Sequence, residues 1–290
     1  VTLLVGIRCT DGIVLASDGA ATLVDAAGRP TARQPTDKLQ TIAGASVLSL
    51  SGNVGVAQEL RLDLDEFIRD WNKPNRKKKP SLNAEIVSFR DELMKIFSTR
   101  VGNARRGAAE AKGYRPGDRV PLHELPSCGG FVATVLVGQL HLYQLDDAGI
   151  EEVDDQIPGV SKGSGAGTAD PFLAMIRRVA WGGNPPKIEQ AQYAAYWTLR
   201  HVIDTNTGGV ADPIQIWSMI LDNGKPVIHK HPEDDLQRFD QVIQEVEAAI
   251  KQQFSEPNIA EEDVPEPPAS LELAALAPPV QKRAATLPEK

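Results

Sequence analysis

The chain has 290 residues, 41% of them hydrophobic and 24% charged, with a formal net charge of −8. That balance belongs to an ordinary globular protein, long enough for one domain of about 200–250 residues plus an appendage. A net negative chain with no arginine-rich face argues against nucleic acid as a partner, and no apolar run approaches the roughly 20 residues that span a membrane.

The stretch from Val1 to Asp18 lacks the basic start and long apolar centre of a secretory signal, so a cytoplasmic protein is expected. Its first elements are β-prone: Thr2 to Arg8 and Ile13 to Ser17, joined by an Asp11-Gly12 hairpin turn. A third strand, Ala45 to Ser51, ends at Gly52. Helical periodicity follows over Val54 to Trp71, with Val56, Leu60, Leu64 and Phe67 on one face. The basic run Arg76-Lys77-Lys78-Lys79, between Pro74 and Pro80, reads as a solvated loop. A second helix is expected from about Leu82 to Ala111, then a Pro- and Gly-rich loop over 113–128.

Strands return at 130–137 and 139–145. Asp170-Pro171 is expected to open a third helix, with Asp as cap and Pro at the first helical position, and Gly182-Gly183 to close it. A fourth helix is expected over Ile188 to Ile203. A hairpin over 214–230 turns at Asp222-Asn223-Gly224, and a last amphipathic helix runs from about Asp234 to Phe254. Strands and helices segregated in this way predict an α+β domain, with antiparallel sheets carrying helices on their outer faces. The expected domain is 1–254. Residues 255–290 hold seven of the 21 prolines and no aromatic residue, so they are expected to be a disordered tail.

Cys9 and Cys128 are too few for a disulfide framework or metal cluster and read as buried thiols. His229 and His231 alternate near a strand end, which reads as a solvated edge rather than a metal pair. No metal and no cofactor is expected. What stands out is a set of small polar residues in four blocks. Thr2 opens the first strand, and Asp18 ends the second, sixteen residues later. Lys38 sits in Asp37-Lys38-Leu39. Gly52 follows Ser51, fourteen residues after Lys38. Gly163-Ser164-Gly165 precedes the third helix, and Asp204-Thr205-Asn206-Thr207-Gly208-Gly209 follows the fourth.

In this order the blocks resemble the N-terminal-nucleophile (Ntn) hydrolases, and within them the proteasome β subunits and bacterial HslV-type proteases, over roughly residues 2 to 230. Two departures stand against the family pattern. The interval from Asp18 to Lys38 is a few residues longer than usual, which Ala26-Ala27-Gly28-Arg29 would absorb as a longer loop. Thr207 stands where the family has serine. The resemblance implies a four-layer αββα sandwich of two antiparallel sheets with flanking helices. It also implies a self-compartmentalising threonine endopeptidase that cleaves unfolded proteins or peptides inside a homo-oligomeric ring or double ring. With no ATP-binding motif in the chain, unfolding energy would come from a separate ATP-dependent unfoldase.

The chemistry explains the residue types. A threonine hydroxyl is a poor nucleophile without a base. A free α-amine, with a pKa of about 7.7–8.0, can serve as that base near neutral pH, and an N-terminal threonine carries both groups. The resemblance assigns Thr2 as nucleophile, Lys38 as the charge beside it, Asp18 as the partner of Lys38, and Gly52 as oxyanion donor. Ser164, Asp204 and Thr207 would form the hydrogen-bonded surroundings of the amine. Ala21, Thr36, Leu50 and Val54 would line the pocket for the residue before the scissile bond. None of these four is charged, so cleavage is expected after Leu, Met, Tyr or Ala rather than after Arg or Asp.

Val1 precedes the nucleophile. It reads as an initiator position removed by methionine aminopeptidase, as a one-residue remnant lost in maturation, or as a retained residue that leaves Thr2 without its amine. Two other functions remain open: a non-catalytic structural subunit of a proteasome-like particle, and an Ntn-type amidase acting on small amides.

Overall fold

The computed structural model describes residues 2–24, 30–77, 79, 81–205 and 209–255. Val1, the expected loop insertion at 26–29, Lys78, Thr207 and the expected tail from residue 256 onward lie outside them. The chain divides into two compact units, Val1–Gln244 and Glu245–Lys290.

The strands in chain order are β1 (Leu3–Arg8), β2 (Ile13–Asp18), β3 (Ala20–Val24), β4 (Pro30–Pro35), β5 (Leu39–Ile42), β6 (Ser46–Gly52), β7 (Cys128–Leu136), β8 (Gln139–Asp146), β9 (Gly149–Glu152), β10 (Gly159–Gly163), β11 (Ile214–Asp222) and β12 (Lys225–His231). The helices are α1 (Val54–Trp71), α2 (Leu82–Ala111), α3 (Ala166–Ile176), α4 (Ile188–Thr205) and α5 (Glu233–Ser255). The class is α+β. One five-stranded antiparallel sheet has the order β10-β1-β2-β11-β12, a second has β5-β6-β7-β8-β9, and β3 pairs with β4 alone.

Alternation along β1 explains how this sequence builds two buried faces. Leu3, Val5 and Ile7 point to one side, into a core with Leu173 and Ile176 of α3, Leu199 and Val202 of α4, and Leu236 and Phe239 of α5. Leu4 points to the other, into a core shared with Leu15 and Met219 of its own sheet and with Leu39, Val47, Phe131 and Leu142 of the second sheet. A third core joins Leu48, Val132 and Tyr143 to Leu60, Leu64 and Ile68 of α1 and Phe89, Leu93 and Phe97 of α2. Asn53 caps α1 by accepting from Val56 N at 3.1 Å, and Ser81 caps α2 by accepting from Ala84 N at 3.2 Å.

Several local expectations change. The third helix begins at Ala166, not at Asp170, and Pro171 lies inside it. The Gly165 carbonyl starts the helix by accepting from Thr168 N and Ala169 N, both at 3.1 Å. Asp170 is thereby freed from capping. Its Oδ1 accepts from Ser161 N and Oγ at 3.0 and 2.6 Å, tying α3 to β10. The basic run is not wholly solvated: Arg76 stacks on the Trp71 ring at 3.8 Å and pairs with the buried Glu85. Strands β3, β4, β9 and β10 were not foreseen, because segments such as GIEE and GVSKG are too short and too glycine-rich to show a period.

Cys9 and Cys128 are buried and unpaired, and burial raises both thiols, Cys128 to about 12. Among the described residues no helix is long and apolar enough to cross a membrane, and no group of three or more His, Cys, Asp or Glu is placed to hold a metal.

Candidate active site

The ends of five strands meet at one cleft. Thr2 stands just before β1, Asp18 ends β2, Gln215 lies at the start of β11, Lys38 precedes β5, and Gly52 ends β6 where the chain turns into α1. The cleft has a volume of about 240 Å³ and its walls include Thr2, Lys38, Gly52 and, from α1, Val54, Ala57 and Arg61.

Asp18 is fully buried. Its Oδ1 accepts from Leu3 N at 2.8 Å, the amide next to Thr2, and from Lys38 Nζ at 2.6 Å. One carboxylate oxygen therefore fixes both the first strand behind the threonine and the lysine side chain. The Lys38 side chain is only 8% exposed. Burial pulls its amine below the usual lysine range, opposed by the neighbouring Asp18 charge. An ion pair this dry contributes little net stability. It is the kind of perturbed, paired group that gathers at chemical centres.

Backbone conformation demands glycine twice, at the cleft wall and behind Thr2. Gly52 has φ +110°, and a Cβ there would lie 2.1 Å from the Ser127 carbonyl oxygen. Gly163 has φ +105°, and a Cβ there would lie 2.2 Å from the Thr2 carbonyl oxygen. Bare backbone at 163 lets Ser164 close on the threonine. Ser164 Oγ accepts from Thr2 N at 3.0 Å and donates to Thr2 O at 3.3 Å.

No protein-family model and no curated protein sequence matches the chain. Solved structures do. Anbu (ancestral beta-subunit) from Yersinia bercovieri superposes with a TM-score of 0.60 at 16% identity, covering 87% of this chain and 97% of that one. An Anbu (Gly-1) mutant from Hyphomicrobium sp. strain MC1 gives 0.58 at 16% identity, covering 88% and 97%. The fold is that of the Anbu structures. At this identity the likeness shows the fold alone.

This corrects the sequence resemblance to the proteasome β subunits and HslV-type proteases. The structural matches are to Anbu, and the glycines that helped carry the resemblance, Gly52 and Gly163, answer steric demands of the backbone. Such residues mark a fold more than a subgroup within it.

The expected site residues divide into three groups. Thr2, Lys38 and Gly52, with Ala21, Leu50 and Val54, line the cleft; Asp18 lies beneath Lys38 and Ser164 against Thr2. Thr36 does not line it: its N donates to Gly19 O at 2.8 Å and its carbonyl is bound by Gln215. Asp204 is exposed in the last turn of α4 and does not line the cleft, and Thr207 is outside the described residues. Two residues escaped sequence reasoning. Arg61 adds a cation to the cleft wall, and Gln215 binds the segment that carries Lys38. A polar residue between Ile214 and Ile216 reads as the solvent side of a strand, and an arginine on an amphipathic helix reads as its solvated face. Neither pattern signals a site.

Proposed function

We propose that this chain is a threonine-type peptidase in which Thr2, once it is the first residue, attacks the peptide carbonyl. The observation that carries this reading is the Asp18 carboxylate, which binds Leu3 N and Lys38 Nζ together and so places a buried cation in the cleft that Thr2 lines. The steps are these. The Thr2 amine takes the hydroxyl proton, and Lys38 supplies positive charge that favours its loss. The oxygen bonds to the carbonyl carbon, and the Gly52 N–H receives the developing oxyanion. The carbon–nitrogen bond breaks as the amine returns its proton to the leaving nitrogen, leaving an ester on Thr2. Water then hydrolyses the ester. Ser164 holds the Thr2 nitrogen in place.

The reading extends to architecture. The three separate cores, built from residues between Leu3 and Ile243, support a four-layer αββα sandwich. Exposed Leu62 on α1 and Val87 on α2 support these helices as the contacts between stacked rings of a homo-oligomer. Light scattering with size exclusion should give a particle many times the mass of one chain. A monomer at micromolar concentration would contradict the ring and favour an amidase that works alone.

Substrate preference follows from the cleft wall. Leu48, Leu50 and Ala57 supply apolar surface, and Arg61 supplies a cation that shares no ion pair with another described residue. Burying a Leu side chain gains about 1.5–3 kcal/mol, whereas a basic side chain finds both the Arg61 cation and the Asp37 carboxylate on the wall and gains little net attraction. On a fluorogenic peptide panel, release after Leu or Met should exceed release after Arg by about tenfold or more. Arg61→Glu should raise release after Arg by a few-fold, in line with about 0.2–1 kcal/mol for an exposed pair. Equal rates after Leu and Arg in the unaltered protein would contradict this assignment of the wall.

A further inference from the structure

We propose that Gln215 is a positioning residue that sets the Lys38–Asp18 pair by clamping together the two sheets that carry it. The inference rests on the peptidase reading for its meaning in catalysis, and on hydrogen bonds alone for its physical content. Asp18 belongs to the sheet containing β1, β2 and β11, whereas Lys38 leads into β5 of the other sheet. Residues 36–38 form no strand, so their backbone groups need partners from elsewhere.

One side chain supplies two of them, for Lys38 N and Thr36 O. Gln215 Oε1 accepts from Lys38 N at 3.1 Å and from Ser17 Oγ at 3.3 Å, the residue beside Asp18. Its Nε2 donates to Thr36 O at 2.8 Å and to Asp37 Oδ1 at 3.1 Å. Both ends of the amide are thus used, and each contacts the lysine-bearing segment. Gln215 lies opposite Ser17 in the β2–β11 register, which fixes its base while its amide reaches across. A shorter Asn would fall short of the segment, and an apolar residue of similar volume would leave Lys38 N and Thr36 O unbonded in a half-buried site.

Glutamate separates the two halves of the amide. A carboxylate at 215 can still accept from Lys38 N and Ser17 Oγ. Its second oxygen would face the Thr36 carbonyl and the Asp37 carboxylate, where no donor is offered. It would also bring a negative charge towards the Lys38 amine.

The test reads Lys38 directly in the full chain. Residue-resolved hydrogen–deuterium exchange follows the Lys38 amide, and competitive acetylation across pH followed by mass spectrometry gives the Lys38 pKa. Gln215→Leu should speed exchange at Lys38 by about tenfold or more, with the β6 and β7 amides unchanged, and should raise the Lys38 pKa as water reaches the amine. Gln215→Glu should keep the Lys38 amide protected and raise its pKa by about one unit. Peptide hydrolysis should fall in both variants, with the pH limb displaced rather than the rate merely scaled. Should Gln215→Leu fail to fold, Gln215→Glu decides the matter. Unchanged Lys38 exchange in the folded leucine variant, or an unmoved Lys38 pKa in the glutamate variant, overturns the clamp. A wild-type protein that hydrolyses no peptide, yet shows these Lys38 shifts, overturns the peptidase reading and leaves the clamp standing.

Discussion

Replacing Lys38 with methionine should lower the rate at which a peptide epoxyketone modifies Thr2 by about 10²–10³-fold, the usual loss when one electrostatic contact to a reacting centre is removed. Methionine keeps much of the apolar stem and removes the cation, which leaves the buried Asp18 carboxylate with the Leu3 amide, so labelling is compared on variant protein shown to be folded by chemical denaturation. The pH dependence should change in a stated direction. On the proposed chemistry the Lys38 charge would lower the pKa of a free Thr2 amine, so without it the acid limb of the labelling profile should move to higher pH, towards the ordinary α-amine range of about 7.7–8.0. Lys38→Arg should not rescue the rate, because a planar guanidinium cannot take the place of a compact ammonium that is 8% exposed. Labelling within threefold of the unaltered protein would remove Lys38 from the chemistry.

Asp18→Ala should cost about 3–5 kcal/mol of folding stability, because it leaves the buried Lys38 amine and the Leu3 amide without their shared acceptor. Chemical denaturation at constant pH measures this. Asp18→Asn is the informative companion. An amide oxygen can still accept from Leu3 N and Lys38 Nζ, but it no longer offsets the burial that already lowers the lysine. The folded Lys38 pKa then falls further below its unfolded value of about 10.4. Between those two values the unfolded chain binds more protons than the folded one, so stability rises with pH across the window and the penalty is fully felt below it. A flat stability profile in Asp18→Asn would show that Lys38 leaves the cleft when its partner is neutral.

The parts of this molecule that were legible in the sequence are those in which one physical demand controls several residues. α1 announced itself because Val56, Leu60 and Leu64 repeat at helical spacing, and each is buried. β1 and β2 did so because their apolar runs are bounded by a turn-forming Asp11-Gly12. The resemblance gives Gly52 as an oxyanion donor, and its positive φ and the Ser127 carbonyl, which any Cβ there would strike, add a steric reason for glycine. The short strands were hidden, since GVSKG in β10 is too brief to show alternation and takes its place only by pairing with β1. α3 was misplaced because Asp170-Pro171 has the residue types of a helix start, while the start that the chain uses rests on the Gly165 carbonyl. Gln215 and Arg61 illustrate the deeper limit. Gln215 bonds to residues far away in the chain and Arg61 shares a cleft with others, and a single sequence records neither.

The proposed chemistry requires Thr2 to be the first residue with a free amine. The measurement that addresses it is intact mass with N-terminal sequencing of the native protein, before and after treatment with a peptide epoxyketone, an inhibitor that engages the hydroxyl and the α-amine of one residue together. The account predicts a chain beginning at Thr2 whose mass rises by one inhibitor, with the adduct on residue 2 and none in Thr2→Ala. An active peptidase whose chain uniformly retains Val1, or an adduct located on any other residue, would contradict it.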